Sequence, residues 1–374
     1  MWLINTSSFA LEFVSDAEVC EYAILSHTWG QDEISFKDMA DVGLARTKPG
    51  FQKLEKTCEL ARSRGLQYAW VDTCCIDKSS SAELTEAINS MFQWYKTAEA
   101  CFVYLSDYDD QFESESGISG CRWFTRGWTL QELIASQKIE FYDKWWKLLG
   151  NKESFLSRLS NITEIEYEVL KDCEKVKTIP IGRRMSWAAS RTTTRMEDMA
   201  YCLFGIFDVN LPLIYGEGRK AFIRLQEAIA RESTDISLFA WESTGSYGAF
   251  AQSPADFITC SDIFCVGYAT APSVEYTLTN KGLHMKTLLY LKNDEYILML
   301  PCARFATVDK GLALRLARTS NGYVRLGLTQ EAISFVSSLQ PLLEMPVYIP
   351  KIIGLMEFET TKEELQHRFH VEVS

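Results

Sequence analysis

The chain has 374 residues, 47% of them hydrophobic and 13% aromatic, so it can bury a substantial core and lies outside the disordered range. Its formal net charge of -12 excludes a surface built to coat nucleic acid, because phosphate neutralisation needs clustered Lys and Arg. No apolar run is long enough to span a bilayer, and the N-terminal MWLINTSSFALEF lacks the basic start and apolar block of a secretory signal.

Eleven Cys without such a signal point to reduced thiols in the cytoplasm. Their spacing gives no CxxC pair, and the adjacent Cys74 and Cys75 make a poor metal clamp. His367 and His370 stand three apart near the C-terminus; a solvated tail explains them better than a metal site. No metal and no resident cofactor are expected.

Residues 22–28, YAILSHT, read as a short strand that ends in polar residues and leads into Trp29 and Gly30. Residues 31–48 are polar and irregular. A helix is predicted over 50–65, where Leu54, Cys58 and Ala61 share a face and Gly65 is a stop signal. A strand over 68–72 follows. The next helix, over 81–98, carries Leu84, Ile88, Met91, Tyr95 and Ala98 as one apolar stripe. Ser79, Ser80 and Ser81 offer N-caps, and Ser80 with Glu83 has capping-box spacing. On the helical wheel Glu83 lies on the flank of the stripe, and Glu86 points almost opposite it. A strand over 101–105, an exposed acidic loop over 107–115, a loop entering a helix over 124–136 and a strand over 139–143 complete a β-α-β-α-β-α-β order. That order favours a mostly parallel sheet with helices on its faces.

Residues 151–233 read mainly helical, including 186–207 and an amphipathic helix from Arg219 to about Arg231. From Ile236 onward the segments alternate or run apolar with turn signals between them, the pattern of an antiparallel sheet. The expected division is an α/β domain over 1–160, a helical extension over 161–235 and a β-rich domain over 236–374.

Four motifs, YAILSHTWG, GLQYAWVDTCCIDKSS, FQWYKTAEACFVYLSD and FTRGWTLQELIAS, occur in an order that resembles the fungal heterokaryon-incompatibility (HET) domain over roughly 20–160. The block SWAASRTTTRMEDMAYCLFGIFDVNLPLIYGEGRKAFIRLQ resembles the segment that follows this domain in many such proteins. The resemblance implies a nonself-recognition and cell-death protein with a flavodoxin-like α/β fold, distantly related to TIR domains. Some TIR domains cleave NAD at the nicotinamide–ribose bond, which makes NAD a candidate substrate here. The alternative is a non-enzymatic module acting by self-association or by binding a partner protein.

NAD cleavage asks for a carboxylate beside an oxocarbenium-like centre, aromatic faces for the rings, and a helix N-terminus or Arg for the pyrophosphate. Glu83 and Glu86, at the start of the helix after the second strand, are the candidate carboxylates, with Glu83 ranked first; both also fit solvated helix charges, with Glu83 as a cap. At the end of the first strand Trp29 could stack on a base, Gly30 allows a tight turn, and Ser26 or Thr28 could bond phosphate; a packed strand end is the plainer reading. His27 is expected to be a neutral hydrogen-bonded side chain rather than a base. Asp72 and Asp77 could bind ribose hydroxyls or cap local backbone. Arg126 precedes a helix start and could hold an anion, or pair with Glu132 to fix its loop; Trp128 and Leu130 are expected in the core. A Cys74 or Cys75 nucleophile with His27 is disfavoured, and YGEGRK does not fit a P-loop.

Overall fold

The computed structural model describes residues 1–15, 20–109, 117–243, 247–265, 275–319, 322–332 and 342–351. His367, His370 and most of the acidic loop after Asp109 lie outside these residues. The chain divides into two compact units. The first comprises Met1–Val176 with Arg191–Tyr215; the second comprises Lys177–Ser190 with Gly216–Ser374. The segment 161–235, read as one helical extension, is thus shared between the two.

The first unit opens with a hairpin, β1 (Trp2–Asn5) and β2 (Leu11–Phe13), then β3 (Tyr22–His27), a short α1 (Val42–Ala45) and α2 (Phe51–Ser63). β4 (Tyr68–Trp70), α3 (Ser81–Thr97), β5 (Ala100–Tyr104), α4 (Trp128–Ala135), β6 (Ile139–Tyr142) and β7 (Leu148–Asn151) follow. Helices α5 (Lys152–Thr163) and α6 (Tyr167–Lys171) and short turns of helix at Asp198–Tyr201 and Phe204–Phe207 complete it. The seven strands form one sheet in the order β2-β1-β4-β3-β5-β6-β7.

The sheet is mixed. β3 runs parallel to β4 and β5, and β5 parallel to β6, as the alternation predicts. The outer strands are antiparallel: β1 to both β2 and β4, and β7 to β6. The links inside those two hairpins are too short for the crossover that a parallel pair needs. The N-terminal hairpin was not foreseen.

Central β3 is buried at every position, so it tolerates no polar side chain without a partner. Crossing from β3 to β4 and then back over β3 to β5 places successive right-handed connections on opposite faces. In agreement, α2 packs on β3 and β4, while α3 packs against α4. The buried stripe of α3 is Ala87, Ile88, Met91, Trp94 and Tyr95, each large apolar member worth about 1.5–3 kcal/mol when fully covered. Tyr22 and Tyr95 tie strand to helix, donating to Trp94 O at 2.7 Å and Leu25 O at 3.0 Å. Helix α2 stops where expected, with Gly65 at φ +76°, a left-handed conformation that a Cβ would strain.

In the second unit β8 (Ile263–Cys265), β9 (Glu275–Thr279), β10 (Gly282–Lys292), β11 (Glu295–Arg304), β12 (Thr307–Thr319), β13 (Gly322–Ala332) and β14 (Leu342–Ile349) make an antiparallel sheet. Its path is β13-β12-β11-β10-β14, with β8 added to β11 and β9 to β10. The amphipathic helix Lys220–Glu232 belongs to this unit. Its fully buried Gln226 exchanges two hydrogen bonds with the Ala251 backbone, at 2.8 and 3.0 Å, and so fixes the chain before the sheet.

Candidate functional site

Parallel strands present their C-terminal ends at one edge, where an open α/β sheet forms its ligand crevice beside the strand whose neighbours both follow it in the chain. That strand is β3, and the residues after it are Thr28, Trp29 and Gly30. A continuous polar network holds them. His27 Nε2 lies 3.1 Å from Asp72 Oδ1, and His27 Nδ1 lies 3.1 Å from Lys53 Nζ. An ammonium can only donate, so Nδ1 is the acceptor and Nε2–H donates to Asp72. Asp72 Oδ2 accepts Trp29 Nε1–H at 2.8 Å. Lys53 also donates to Thr28 O at 3.3 Å and pairs with Glu33, whose Oε1 accepts the Gly30 N–H at 2.7 Å. The Trp29–Gly30 turn is thus clamped from two sides.

Trp29 nonetheless stays 53% exposed. The Lys78 ammonium sits 3.8 Å from its ring centroid, a cation–π contact, and Arg122 donates to Thr28 Oγ1 at 2.9 Å and to Trp29 O at 3.0 Å. Burial pushes the Asp72 carboxyl up, but hydrogen bonds from His27 and Trp29 and the positive charge of Lys78 outweigh it, leaving Asp72 below the usual carboxylate range. An exposed indole face flanked by Lys78 and Arg122 can recognise flat π systems and anions.

Behind this network lies a second, dry cluster. Ser26 donates to Glu132 and accepts Trp123 Nε1–H at 2.8 Å. Burial pushes the Glu132 carboxyl up to about 8, with the Asp72 charge adding to the rise and the hydrogen bond from Ser26, the nearby Tyr95 hydroxyl and the charge of Arg191 opposing it. Glu132 therefore carries a proton at neutral pH. Arg191 holds the start of α4, donating to Arg126 O at 2.8 Å and Thr129 Oγ1 at 3.0 Å. Gly127 allows the same close approach: its N–H donates to Thr192 O at 2.9 Å, and a Cβ there would meet Thr193 Cγ2 at 2.6 Å.

The structure brings His27, Trp29, Gly30 and Asp72 together, as their shared sheet edge suggests. Ser26 belongs to the dry cluster instead. Glu83 Oε1 accepts the Asp77 N–H at 3.0 Å, and its own N–H donates to Ser80 Oγ at 3.3 Å. Asp77 accepts from the Ser79 N–H at 2.9 Å and from Ser79 Oγ at 2.6 Å. Glu86 is exposed. The Arg126–Glu132 pair, one of the two alternatives for Arg126, is not formed: Glu132 faces Ser26, and Arg126 donates to Thr194 Oγ1 at 2.9 Å. Trp128 is half-buried rather than core, with Nε1 3.4 Å from Asp198, while Leu130 is buried. Both His27 nitrogens are engaged, so neither is left for Cys74 or Cys75, and burial raises the Cys74 thiol well above its usual range. Among the described residues no cluster of three His, Cys, Asp or Glu could hold a metal ion.

Residues 22–119 match the family model described as heterokaryon incompatibility protein (HET). The FTRGWTLQELIAS motif lies beyond that span. The vegetative incompatibility protein HET-E-1 of Podospora anserina is 48% identical over 221 residues, 56% of this chain and 16% of the relative. This chain thus spans a small part of that protein's length. No solved structure matches the chain.

Proposed function

We propose, from the match of residues 22–119 to the HET family model, that the chain acts in fungal vegetative incompatibility, as a nonself-recognition and cell-death signalling module whose working surface is the Trp29 edge. The observation that carries the reading is the 48% identity to a vegetative incompatibility protein across 56% of this chain. The clamped Trp29 supports the choice of surface, since Asp72 and Lys78 hold its ring and Arg122 and Glu33 hold the backbone beside it while the ring stays 53% exposed. The module works by self-association or by engaging a partner protein. Expression in a filamentous fungus tests this: wild type should arrest hyphal growth or kill cells, and Trp29→Ala, folded and equally abundant, should not. Normal growth with abundant wild-type protein would count against it.

NAD hydrolysis is the second reading. It is supported by the exposed indole beside two cations and by the order of the parallel strands, second-first-third-fourth in chain sequence, which is the flavodoxin-like order. The contacts of Glu83 with Asp77 and the exposure of Glu86 support the binding module more than the hydrolase. Nicotinamide release by concentrated protein, compared with Glu83→Gln and Glu86→Gln, separates the two. Release abolished by one substitution establishes the hydrolase and its carboxylate; no release from folded wild type leaves the binding module.

A further inference from the structure

Arg126 is the one basic residue of the FTRGWTLQELIAS motif, and the Trp29 edge does not use it. Its guanidinium is half-buried and donates to Thr194 Oγ1 at 2.9 Å. Among the described residues it forms no ion pair. A guanidinium makes its strongest bonds to carboxylate and phosphate oxygens, often two at once, so a neutral hydroxyl uses little of its capacity. The hydroxyl it has chosen differs from its neighbours. Thr192, Thr193 and Thr194 follow one another on a stretch, Arg191 to Glu197, that has no helix or strand beyond a single bridge at Thr192. Thr192 donates from its N–H to Thr125 O at 2.7 Å and from its hydroxyl to the same oxygen at 3.4 Å. The Thr193 hydroxyl donates to Arg195 O at 2.6 Å. Of the three, only Thr194 turns its hydroxyl oxygen to a cation, and it is exposed.

The surroundings suit a dianion on that oxygen. Arg195 follows directly and is exposed, its guanidinium 4.4 Å from the Tyr215 ring centroid. The acids of the segment are turned inward. Glu197 and Asp198 are buried, and Asp198 accepts the Tyr215 hydroxyl at 3.1 Å, with its other oxygen 3.4 Å from Trp128 Nε1. The cation is held ready: the buried Arg191 donates to Arg126 O at 2.8 Å, and the Gly127 N–H donates to Thr192 O at 2.9 Å. Arg126 also follows directly on the short helical turn Arg122–Thr125, whose first residue donates to Trp29 O at 3.0 Å. A hydroxyl on an exposed irregular stretch, already facing an Arg that has no acid, is the arrangement through which phosphorylation orders a segment.

We propose that Thr194 is a phosphorylation site whose phosphate is held by Arg126. A protein kinase transfers the γ-phosphoryl group of a nucleoside triphosphate to Oγ1: the new O–P bond forms as the bond to the departing nucleoside diphosphate breaks, and the hydroxyl proton passes to the kinase's base. The phosphate then ties residues 191–195 to the turn that carries Arg122 to the Trp29 edge. The test has two parts. Mass spectrometry of the full chain recovered from a filamentous fungus should place a phosphate on Thr194, and Thr194→Ala should lose that phosphopeptide. The full chain is then made with phosphothreonine inserted at position 194 during translation and followed by phosphorus NMR across pH. The folded chain's phosphate should titrate about one pH unit below that of the urea-unfolded chain, whose second ionisation lies near about 6, because Arg126 favours the dianion. Arg126→Gln should remove most of that difference and Arg195→Gln a smaller part. Absence of phosphate from Thr194, phosphate on Thr192 or Thr193 in its place, equal midpoints in the folded and unfolded chains, or a difference that survives Arg126→Gln would each overturn the proposal.

Discussion

Asp72, half-buried, and Glu132, buried, both lie near the C-terminal ends of the first unit's strands, and their carboxyl groups move in opposite directions. Asp72 accepts from His27 and Trp29 and lies near Lys78, so it stays ionised below the usual range. Glu132 receives a hydrogen bond from Ser26 and the influence of the Tyr95 hydroxyl and Arg191, which do not offset its burial, and it rises to about 8. Desolvation is the largest influence on each. The supply of donors and cations decides the outcome, so a buried acid cannot be assigned a charge from burial alone.

The comparison can be broken most forcefully at Asp72. Asp72→Ala strips partners from His27 and Trp29; it should cost about 2–3 kcal/mol in urea unfolding. A loss below about 1 kcal/mol would mean that the network is ornamental to the fold. The pH response comes next. A carboxyl raised from 4.5 to about 8 contributes stability that is fully present below 4.5 and lost as pH climbs through 8. At about 1.4 kcal/mol for each pKa unit, the loss is a few kcal/mol. Glu132→Gln should flatten the decline between pH 5 and 9, measured by thermal unfolding at each pH; an unchanged decline would mean that another group titrates. Asp72 acts at the other end of the scale. Its lowered pKa contributes stability above about 4 that is lost as pH falls through the folded-state value. Trp29→Ala should change stability by about 1 kcal/mol or less, because the ring is mostly in water, while removing activity in the fungal growth assay. Glu86→Gln, on the exposed face of α3, should fall within about 0.5 kcal/mol of wild type in urea.

The parallel core was legible because its strands are short apolar runs and its helices keep one stripe. The predicted strand over 22–28 is β3, that over 101–105 is β5, and the helix over 81–98 is α3, each within a residue or two at either end. The stripe on α3 was misjudged at its margins: Trp94 and Ala87 are buried where Leu84 and Ala98 are only half-buried, because the helix leans on Trp70 and Tyr22. The stretch 186–207 keeps only short turns of helix; Thr192 is drawn into a bridge with Arg126 instead. At the candidate site, the clustering of His27, Trp29, Gly30 and Asp72 was legible, since adjacent strand ends share an edge. Lys53, Glu33, Lys78 and Arg122 were missed. Each is one of many surface charges in sequence, and only the fold shows that their ends converge on residues as much as 94 positions away. Glu132 was noticed but given the wrong partner, because Arg126 is near in sequence and Ser26 is 106 residues away.

The interleaving of the two units bears on how the chain is made. Translation delivers the segment 177–190 of the second unit before the segment 191–215 of the first. The later segment supplies Thr192, which bridges to Arg126, and Leu211, whose N–H and C=O both bond Asn89 at 3.0 and 3.1 Å. The nascent first unit therefore cannot close as soon as its sheet has emerged. It must wait, with the faces of α3 and α4 incomplete, until residues of the other unit have already left the ribosome, and a chain stalled in that interval would expose surfaces that invite chaperone binding.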